Sequence, residues 1–425
     1  MSTSSPTVPR VHLRAGREKS ALHRHPWVFS GAIARIDGVA APGGEVDVVT
    51  SAGAFVARGL FNPSSQIAVR LFSWDPGAAI DAGFWHRALT QAVAARCEPT
   101  GGDDPWLPAA GRRLVNAESD GLPGLVVDAY GDWVVIQALT LGVDQRKDLI
   151  VATLVDVLTA AGRPPTGVYE RSDVDVRAKE GLTPEVGVRH GAAPPPVVTI
   201  EEPGPDGRPL RFDVDIREGH KTGFYLDQRL NRRHVAAWCR GREVLNVFSY
   251  TGGFAVHALA AGARRVVNVD TSAAALDRAR RHLEINGLPS DPADVVEADG
   301  FSYLRRCRAL GESFDAVILD PPKLAASAAQ VERAARAYKD ANRVALQILR
   351  PGGILATFSC SGRVPAELFQ KIVFSAAVDA GRDPQIVARL AQPPDHPVRL
   401  GFPEGEYLCG LICRDTSPPA HLAAR

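Results

Sequence analysis

The stretch VLNVFSYTGGFAVHA, residues 244–258, decides the fold of the second half of the chain. Its first residues are apolar and predict a buried strand, Gly252 and Gly253 predict a tight turn, and the apolar residues that follow predict a helix. A strand, a glycine turn and a helix in this order are typical of an open α/β sheet, where ligands bind beyond the carboxyl ends of the strands. Because the turn lacks the GxGxxG spacing, a nicotinamide-dependent dehydrogenase is disfavoured.

The same alternation continues towards the C-terminus and predicts a parallel sheet that is covered on both faces. Helical patterns at residues 272–286 and 326–349 separate the apolar runs. The further predicted strands are RVVNVD (265–270), ADVVEAD (293–299), DAVILD (315–320) and GILATFS (353–359). A Rossmann-like domain is therefore predicted over residues 192–414, and the stretch GAAPPPVV (191–198) is interpreted as a linker or a domain edge.

The first half of the chain predicts two smaller domains. Residues 11–74 contain short β-type runs that are broken by Gly and Pro, which favours a small β-barrel. Residues 75–191 combine predicted helices at 81–97 and 145–161 with the strand runs GLVVDAY and WVVIQAL, so a central α+β domain is predicted. Residues 1–10 and 415–425 lack periodicity and are predicted to be a disordered lead and a disordered tail.

Composition excludes several classes of protein. The hydrophobic share is 45%, and no apolar run is long enough to cross a bilayer, so no membrane partner is expected. The N-terminus lacks the apolar core of a signal peptide, and a cytoplasmic location is predicted. Six cysteines without a CxxC pair argue against a disulfide framework, and no metal site is predicted. A net charge of +1 decides nothing about a nucleic-acid partner, and the oligomeric state is left open, with a homodimer among the possibilities.

The ends of the predicted strands favour an adenosyl cofactor, S-adenosylmethionine. Asp270 ends the second predicted strand, RVVNVD. Its distance along the chain from the glycine turn is close to the roughly twenty-residue interval at which a carboxylate can accept both hydroxyls of an adenosine ribose. Asp299 and Gly300, at the end of the third strand, are expected to meet the adenine edge. The competing interpretation is that Asp and Gly at strand ends act as helix caps and turns. The residues predicted to contact the cofactor are Phe248, Ser249, Tyr250, Gly252, Asp270, Ser272, Asp299, Gly300 and Asp320.

Two neighbouring strand ends carry the predicted catalytic residues, Asp320 in Asp-Pro-Pro-Lys and Cys360 in Phe-Ser-Cys-Ser-Gly. Carbon 5 of a pyrimidine is a poor nucleophile, and a thiolate that adds to carbon 6 makes it reactive towards a methyl sulfonium. Cys360 is the residue type that this chemistry needs, while Asp320 could hydrogen-bond the ring. The alternative is that Cys360 is a buried small hydrophobe. That interpretation is applied to Cys97, Cys239, Cys307, Cys409 and Cys413.

The segment EGHKTGFYLDQRLNRR, residues 218–233, predicts a glycine-rich turn followed by a basic helix that could meet RNA phosphates or bases. The alternative is a solvated helix face. The residues predicted to contact RNA are Lys221, Tyr225, Gln228, Arg229, Arg232 and Lys323. Four basic residues of the predicted barrel make it a second candidate RNA-docking surface: Arg14, Arg17, Lys19 and Arg24.

Several of these motifs resemble those of one family, the bacterial 23S ribosomal RNA large subunit cytosine-5 methyltransferases that carry an N-terminal PUA domain. The motifs are HPWVFSGAI, ESDGLPGLVVDAYGD, ERSD, EGHKTGFYLDQRLNR, VLNVFSYTGGFAVHA, ILDPPK and FSCSG, and the resemblance extends from about residue 11 to residue 414. It implies a PUA barrel, a central α+β domain, a class I methyltransferase domain and ribosomal RNA, 23S RNA in particular, as partner. It also implies that Asp270 binds the ribose, that Cys360 is the nucleophile and that Asp320 holds the base.

Three alternatives stay open at this point. An RNA uracil-5 methyltransferase uses the same cysteine addition. Amino-group methylation is disfavoured because Lys323 stands where an aromatic residue would be needed. A ribosome-assembly factor without catalysis would not need the carboxylates and the thiol. A related group of enzymes releases its product with a second cysteine, and Pro322 occupies that position here, so another base is expected.

Overall fold

The computed structural model describes residues 8–97 and 107–417, so most of the predicted lead and tail, at residues 1–7 and 418–425, lies outside the described residues. These residues form two compact units. The first comprises residues 8–97, 107–200, 214–226 and 394–405, and the second comprises residues 201–213, 227–393 and 406–417. The predicted barrel and the predicted central domain thus belong to one unit, and the chain first changes unit at residue 201 rather than at 192.

The first unit begins with a mixed sheet that corresponds to the predicted barrel. Its strands are β1 (Arg10–Leu13), β2 (Trp27–Phe29), β3 (Ile33–Asp37), β4 (Glu45–Val49), β5 (Phe55–Phe61) and β6 (Ile67–Ser73), with the short helix α1 (Lys19–Leu22) after β1. The strand order is β2-β6-β5-β4-β1-β3. Val46 and Val48 of β4 are fully buried two residues apart, so they point to the same face of the sheet. β6 is buried on both faces, since Ala68 and Phe72 are buried as well as Val69 and Leu71.

The remainder of the first unit is a second sheet covered by helices. Its elements are α2 (Ala82–Cys97), β7 (Gly111–Asn116), β8 (Leu125–Tyr130), β9 (Trp133–Ala138), α3 (Leu141–Asp144), α4 (Lys147–Ala160), β10 (Gly167–Ser172) and β11 (Glu185–Gly191). The strand order is β11-β10-β9-β8-β7. Trp85 and Leu89 of α2 and Ile150 and Leu154 of α4 are fully buried in its core. The helix predicted at 145–161 begins at Lys147, directly after the short helix α3.

The second unit contains the predicted parallel sheet. Its elements are β12 (Val198–Pro203), β13 (Pro209–Val214), α5 (Arg229–Ala236), β14 (Glu243–Val247), α6 (Gly253–Ala260), β15 (Arg265–Asp270), α7 (Ala273–Ile285), β16 (Val295–Glu297), α8 (Gly300–Leu310), β17 (Phe314–Leu319), α9 (Val331–Gln347), β18 (Leu349–Ser359), α10 (Ala366–Ala380), β19 (Pro384–Ala391) and β20 (Cys409–Asp415). β12 and β13 pair with each other, and the main sheet has the order β16-β15-β14-β17-β18-β20-β19.

The order of strands in the main sheet fixes where a ligand can bind. From β14 the chain proceeds to β15 and β16 on one side of the sheet, and then crosses to β17 and β18 on the other. β14 and β17 are parallel neighbours, and so are β17 and β18, whereas β20 runs antiparallel to β18. The point where the strand order reverses lies between β14 and β17, and open α/β sheets bind their ligands beyond the carboxyl ends of the strands at this point.

The cysteine predictions hold with one exception. Cys239, Cys307 and Cys413 are buried, and Cys409 packs against the same core as Cys413. The prediction of a buried side chain is wrong for Cys97, which is exposed at the last position of α2. Within residues 8–97 and 107–417, no helix combines the length and the apolar character that crossing a membrane requires.

Candidate active site

Three loops meet at the carboxyl edge of the main sheet, and they contain both predicted catalytic residues and several of the predicted cofactor contacts. The loop after β14 consists of residues 248–252 and is here called the cofactor loop. The loop after β17 begins with Asp320, and the loop after β18 begins with Cys360. Because β14, β17 and β18 are parallel neighbours in this order, their carboxyl ends lie side by side.

The cofactor loop has an unusual backbone. Phe248, Tyr250 and Gly252 have φ angles of +62°, +46° and +74°, a region that residues other than glycine rarely adopt. The backbone N–H of Tyr250 donates to Asp270 Oδ2 at 2.7 Å, and that of Ser272 donates to Oδ1 of the same carboxylate at 3.0 Å. Asp270, at the end of β15, therefore stabilises the strained turn. Strain of this kind is concentrated at ligand-binding sites.

The residues around the cofactor loop fit an adenosyl cofactor. The Ser249 hydroxyl is buried, with 7% exposure of the residue, and has no hydrogen-bond partner among the described residues. A buried hydroxyl in this state is unfavourable, and a polar ligand that reaches it removes the cost. Each oxygen of Asp270 accepts one backbone N–H and keeps a lone pair that can accept a ribose hydroxyl.

Two of the predicted cofactor contacts have structural roles that the competing interpretation anticipated. Ser272 is the N-cap of α7 and accepts a hydrogen bond from the N–H of Ala275 at 3.2 Å. Asp299 is the N-cap of α8 and accepts from the N–H of Ser302 at 2.9 Å. A capping hydroxyl or carboxylate oxygen can still accept from a ligand, and contact with the cofactor stays a prediction for both residues.

Replacing Asp270 by alanine is expected to weaken S-adenosylmethionine binding by about 1–3 kcal/mol, because charge-assisted hydrogen bonds to the ribose are lost. The substitution also removes the acceptor for Tyr250 and Ser272, so the cofactor loop loses its support. Isothermal calorimetry measures the dissociation constant. Asp277→Ala is the matched control, because Asp277 is exposed on α7 and pairs only with Arg280 among the described contacts. An unchanged dissociation constant for Asp270→Ala would exclude Asp270 as the ribose ligand.

Gly300 has to be a glycine for steric reasons. A Cβ atom at this position would lie 2.6 Å from both Val247 Cγ1 and Phe248 Cε1. The Phe248 ring also packs edge-on against Phe301, with 5.1 Å between the ring centroids. Gly300 therefore lets α8 approach the cofactor loop.

Gly300→Ala is expected to push Phe248 outward and to lower stability by about 1–3 kcal/mol, the usual cost of overpacking. Cofactor affinity should fall with it, because Phe248 is part of the cofactor loop. Urea unfolding and calorimetry on the same preparation measure the two effects. Wild-type stability together with wild-type cofactor affinity would show that the cofactor loop accommodates a Cβ atom at position 300 without displacement.

The thiol and the carboxylate at the next two strand ends lie close together. Cys360 is partly exposed, and its Sγ lies 3.8 Å from the carbonyl oxygen of Pro321. The thiol is thus at the edge of the sheet, next to the residue that follows Asp320. Asp320 is partly exposed as well, and its Oδ2 accepts a hydrogen bond from Gln228 Nε2 at 2.9 Å.

A buried hydroxyl cluster, Ser359, Ser361 and Tyr338, joins these two loops. The Ser361 hydroxyl accepts from the backbone N–H groups of Leu324 and Ala325, both at 3.2 Å. Tyr338 OH lies 3.2 Å from Ser361 Oγ and accepts from Ser359 Oγ at 3.0 Å. The cluster holds the loop after β17 against the loop of Cys360. The sequence analysis missed it, although a serine on each side of Cys360 was visible.

The predicted RNA contacts fall into two groups. Lys221 and Lys323 are exposed, and the Lys221 ammonium stacks over the Tyr225 ring at 4.6 Å. Gln228 and Arg229 are buried, each with 3% exposure or less. The four basic residues of the first sheet that were expected to face RNA are all exposed: Arg14, Arg17, Lys19 and Arg24. The exposed residues have the accessibility that a contact with RNA requires.

The expectation that Arg232 lines the mouth of the pocket is corrected by its surroundings. Arg232 is buried and forms an ion pair with the buried Glu202, which lies on β12. His257 of α6 completes this cluster, with Nε2 at 2.9 Å from Glu202 Oε2. Burial alone would raise the pKa of Glu202, but Arg232 and His257 outweigh it and lower the pKa to about 2. Arg232 is needed to neutralise a buried carboxylate, so it is not available to RNA.

Among residues 8–97 and 107–417, one group of acidic residues has oxygens close enough together to hold a metal ion, namely Asp144, Glu170 and Glu185. Their carboxylates are engaged by cationic side chains instead. Lys147 Nζ lies 3.3 Å from Asp144 and 3.6 Å from Glu170. The other ion pairs of this network are Lys147 with Glu185, Arg177 with Asp144 and Glu185, and Arg189 with Glu170 and Glu185. The arrangement is that of an ion-pair network within the first unit.

Family models match two regions of the chain. Residues 202–401 match the model of an S-adenosylmethionine-dependent methyltransferase, and residues 11–74 match that of a PUA-like domain. A solved structure from Streptococcus mutans, assigned to the S-adenosylmethionine-dependent methyltransferases, has a TM-score of 0.79 at 22% identity and covers 96% of this chain and 100% of that chain. A second solved structure with the same TM-score and coverage is a complex with SAH. At this identity both show the fold alone.

Curated relatives match almost the whole chain. Ribosomal RNA large subunit methyltransferase I of Aeromonas salmonicida is 47% identical over 95% of this chain and 98% of its own length. The proteins of the same name from Aliivibrio fischeri and Shewanella amazonensis are 48% and 47% identical, again over 95% of this chain, and are covered over 98% and 99% of their length. The predicted fold class and S-adenosylmethionine as cofactor are thereby confirmed. The chain belongs to the ribosomal RNA large subunit methyltransferase I family of S-adenosylmethionine-dependent methyltransferases.

Proposed function

We propose that this chain methylates carbon 5 of a cytosine in large-subunit ribosomal RNA, 23S RNA in bacteria, and that Cys360 is the nucleophile. The observation that carries the proposal is the position of the Cys360 thiol, which is partly exposed beside the Asp-Pro-Pro loop, at the strand ends where the fold binds its ligands. The names of the curated relatives support ribosomal RNA as the substrate.

Cys360 acts first in the proposed reaction. Its thiolate adds to carbon 6 of the flipped-out base, so an S–C bond forms and the electrons of the 5,6 double bond become available at carbon 5. S-adenosylmethionine supplies the methyl group as an electrophilic sulfonium when it is bound. Transfer of the proton from carbon 5 to a base then allows the S–C bond to break, which restores the double bond and frees Cys360. Pro322 has no titratable group and does not supply that base.

Asp320 orients the base during these steps. Its carboxylate accepts from Gln228 on Oδ2 and has further lone pairs that can accept from the exocyclic amino group of cytosine. The Pro321 carbonyl oxygen accepts the weak hydrogen bond of the Cys360 thiol and directs the sulfur towards the loop. The buried hydroxyl cluster keeps both loops in this arrangement, so that less entropy is lost when the base arrives.

Mapping 5-methylcytosine in ribosomal RNA from the source bacterium, with and without the gene, tests the proposed function. We expect one cytosine of the large-subunit RNA to lose its methyl group in the deletion strain and to regain it when the gene is supplied. A deletion strain with an unchanged methylation map at every cytosine of this RNA would refute the proposal.

A further inference from the structure

The Asp320 carboxylate is contacted by a chain of two buried amides. Gln228 Nε2 donates to Asp320 Oδ2 at 2.9 Å, and Asn231 Nδ2 donates to Gln228 Oε1 at 2.7 Å. Gln228 and Asn231 have 3% and 2% exposure, so water does not compete for these contacts. Gln228 precedes α5 and Asn231 lies in its first turn, which places the two amides on one rigid element.

The direction of this chain determines what Asp320 can do. An amide has one donor end and one acceptor end, and Asn231 already occupies the acceptor end of Gln228. The donor end of Gln228 therefore faces Asp320. If the Gln228 amide were turned over, its oxygen would face a carboxylate and its NH₂ group would face another NH₂ group. Both contacts are repulsive, so the chain presents a donor to Asp320 and thereby favours the ionised carboxylate, in which both oxygens accept hydrogen bonds.

An acceptor at this position distinguishes the two pyrimidines. Cytosine presents an amino group at carbon 4, which donates to a carboxylate, whereas uracil presents an oxygen there, which a carboxylate repels. A protonated Asp320 could donate to the uracil oxygen, and the discrimination would be lost. Sites built to hydrogen-bond one group reject the analogue that lacks it by about 10⁴-fold.

We propose that Gln228 and Asn231 are positioning residues that hold Asp320 as a hydrogen-bond acceptor and thereby make the site select cytosine over uracil. The inference rests on the proposed function, because it assumes that Asp320 meets the target base. It assigns Gln228 and Asn231 a role that is separate from contact with RNA phosphates.

Two isosteric variants test the inference without removing Asp320. Asn231→Asp replaces the donor with an acceptor, so Gln228 is expected to turn its NH₂ group towards position 231 and its oxygen towards Asp320. Gln228→Glu places a second carboxylate beside Asp320, and because two adjacent carboxylates cannot both ionise easily, they share a proton. In each variant Asp320 Oδ2 has to carry or share a proton to meet the oxygen at position 228, so the carboxyl group loses negative charge and its other oxygen is a weaker acceptor for the base. Gln347→Glu is the matched control, since it makes the same change at a half-buried glutamine that contacts Arg308 and Arg343.

The substrates are two RNA fragments that span the mapped target, one with cytidine and one with uridine at that position. The wild-type chain and Gln347→Glu should prefer cytidine by about 10⁴-fold in single-turnover methyl transfer. Asn231→Asp and Gln228→Glu should reduce this preference at least tenfold, because a carboxyl group with less negative charge accepts more weakly from the cytosine amino group and repels the uracil oxygen less. A general loss of structure lowers both rates together, so the ratio is independent of it.

A dissociation constant for S-adenosylmethionine close to that of wild type, measured by calorimetry, identifies the variants that fold. One folded variant, Asn231→Asp or Gln228→Glu, is sufficient for the test. A folded variant that keeps the wild-type preference would overturn the inference and leave the proposed function intact. A wild-type chain that methylates neither fragment at carbon 5, or prefers uridine, would refute the proposed function itself. If both variants fail to bind the cofactor, Gln228→Ala decides, because it removes the donor without adding a charge, and an unaltered preference in it also overturns the inference.

Discussion

Replacing Cys360 by alanine is expected to abolish methylation, with turnover reduced on the order of 10⁴-fold or more, because the proposed nucleophile is removed. S-adenosylmethionine affinity should stay within about twofold of wild type, since the proposed role of the thiol is contact with the base and not with the ribose. Methyl incorporation into the RNA under single-turnover conditions measures the first effect, and calorimetry measures the second.

Cys409→Ala is the matched control for this experiment. Cys409 is also partly buried, and it lies on β20, opposite Ser359 of β18. Burial raises the pKa of the Cys409 thiol to about 11, so it stays protonated and unreactive near neutral pH. We expect this variant to methylate at close to the wild-type rate. Full turnover in Cys360→Ala, or a comparable loss in both variants, would rule out Cys360 as the nucleophile.

Replacing Glu202 by alanine is expected to lower the free energy of unfolding by about 3–5 kcal/mol, because it leaves the Arg232 guanidinium buried without a counter-charge. Arg232 and Glu202 have 3% and 1% side-chain exposure, and His257 loses its partner as well. Urea unfolding at pH 7, extrapolated linearly to water, measures the difference. Glu201→Ala is the control, since Glu201 is adjacent on β12 but pairs with the exposed Arg211 at 3.6 Å, and such surface pairs contribute about 1 kcal/mol or less.

The pH dependence of stability separates this explanation from simple loss of packing. The pKa of Glu202 is about 2 in the folded chain and near 4.5 in the unfolded chain, so its contribution is complete above pH 4.5 and is lost as the pH falls towards 2. Burial lowers the pKa of His257, so protonation of His257 favours unfolding below about pH 6.5. Wild type should therefore lose its advantage over Glu202→Ala as the pH falls below 4.5, where Glu202 becomes protonated. Protonation of His257 destabilises both chains and does not remove the difference. A constant difference between pH 7 and pH 3 would contradict the ion-pair explanation.

The central part of the fold was predictable because its strands are buried on both faces. β14, β15 and β17 consist largely of apolar residues and were predicted to within a residue or two. The hairpin β12–β13 and the edge strand β19 were not predicted, because their sequences mix charged and apolar residues without a clear period. The burial of Glu202 in β12 could not be predicted either. A glutamate in a strand predicts an exposed side chain, and only the structure shows that Arg232 pairs with it in the interior.

The site residues that lie at the ends of strands were predictable from the sequence. The contacts between side chains far apart in the sequence were not. Asp270, Asp320 and Cys360 each follow a recognisable strand, so their proximity follows from the parallel sheet alone. The helix predicted from residue 326 is α-helical only from Val331, because a 3₁₀ turn, Ala328–Gln330, with a capping box of Ser327 and Gln330 precedes it. The contact of Gln228 with Asp320 joins two segments far apart in sequence, so no local sequence pattern predicts it.

Trapping the adduct between Cys360 and the target base tests the central claim most directly. An RNA fragment with 5-fluorocytidine at the mapped position has fluorine in place of the proton that must leave carbon 5, so the S–C bond cannot break after methyl transfer. With S-adenosylmethionine present, we expect a complex that survives denaturation. Mass spectrometry of its peptides should find the RNA attached to the peptide that contains Cys360. RNA attached to a residue other than Cys360 would contradict the account. So would the failure of a stable complex to form with a protein preparation that methylates the unmodified fragment.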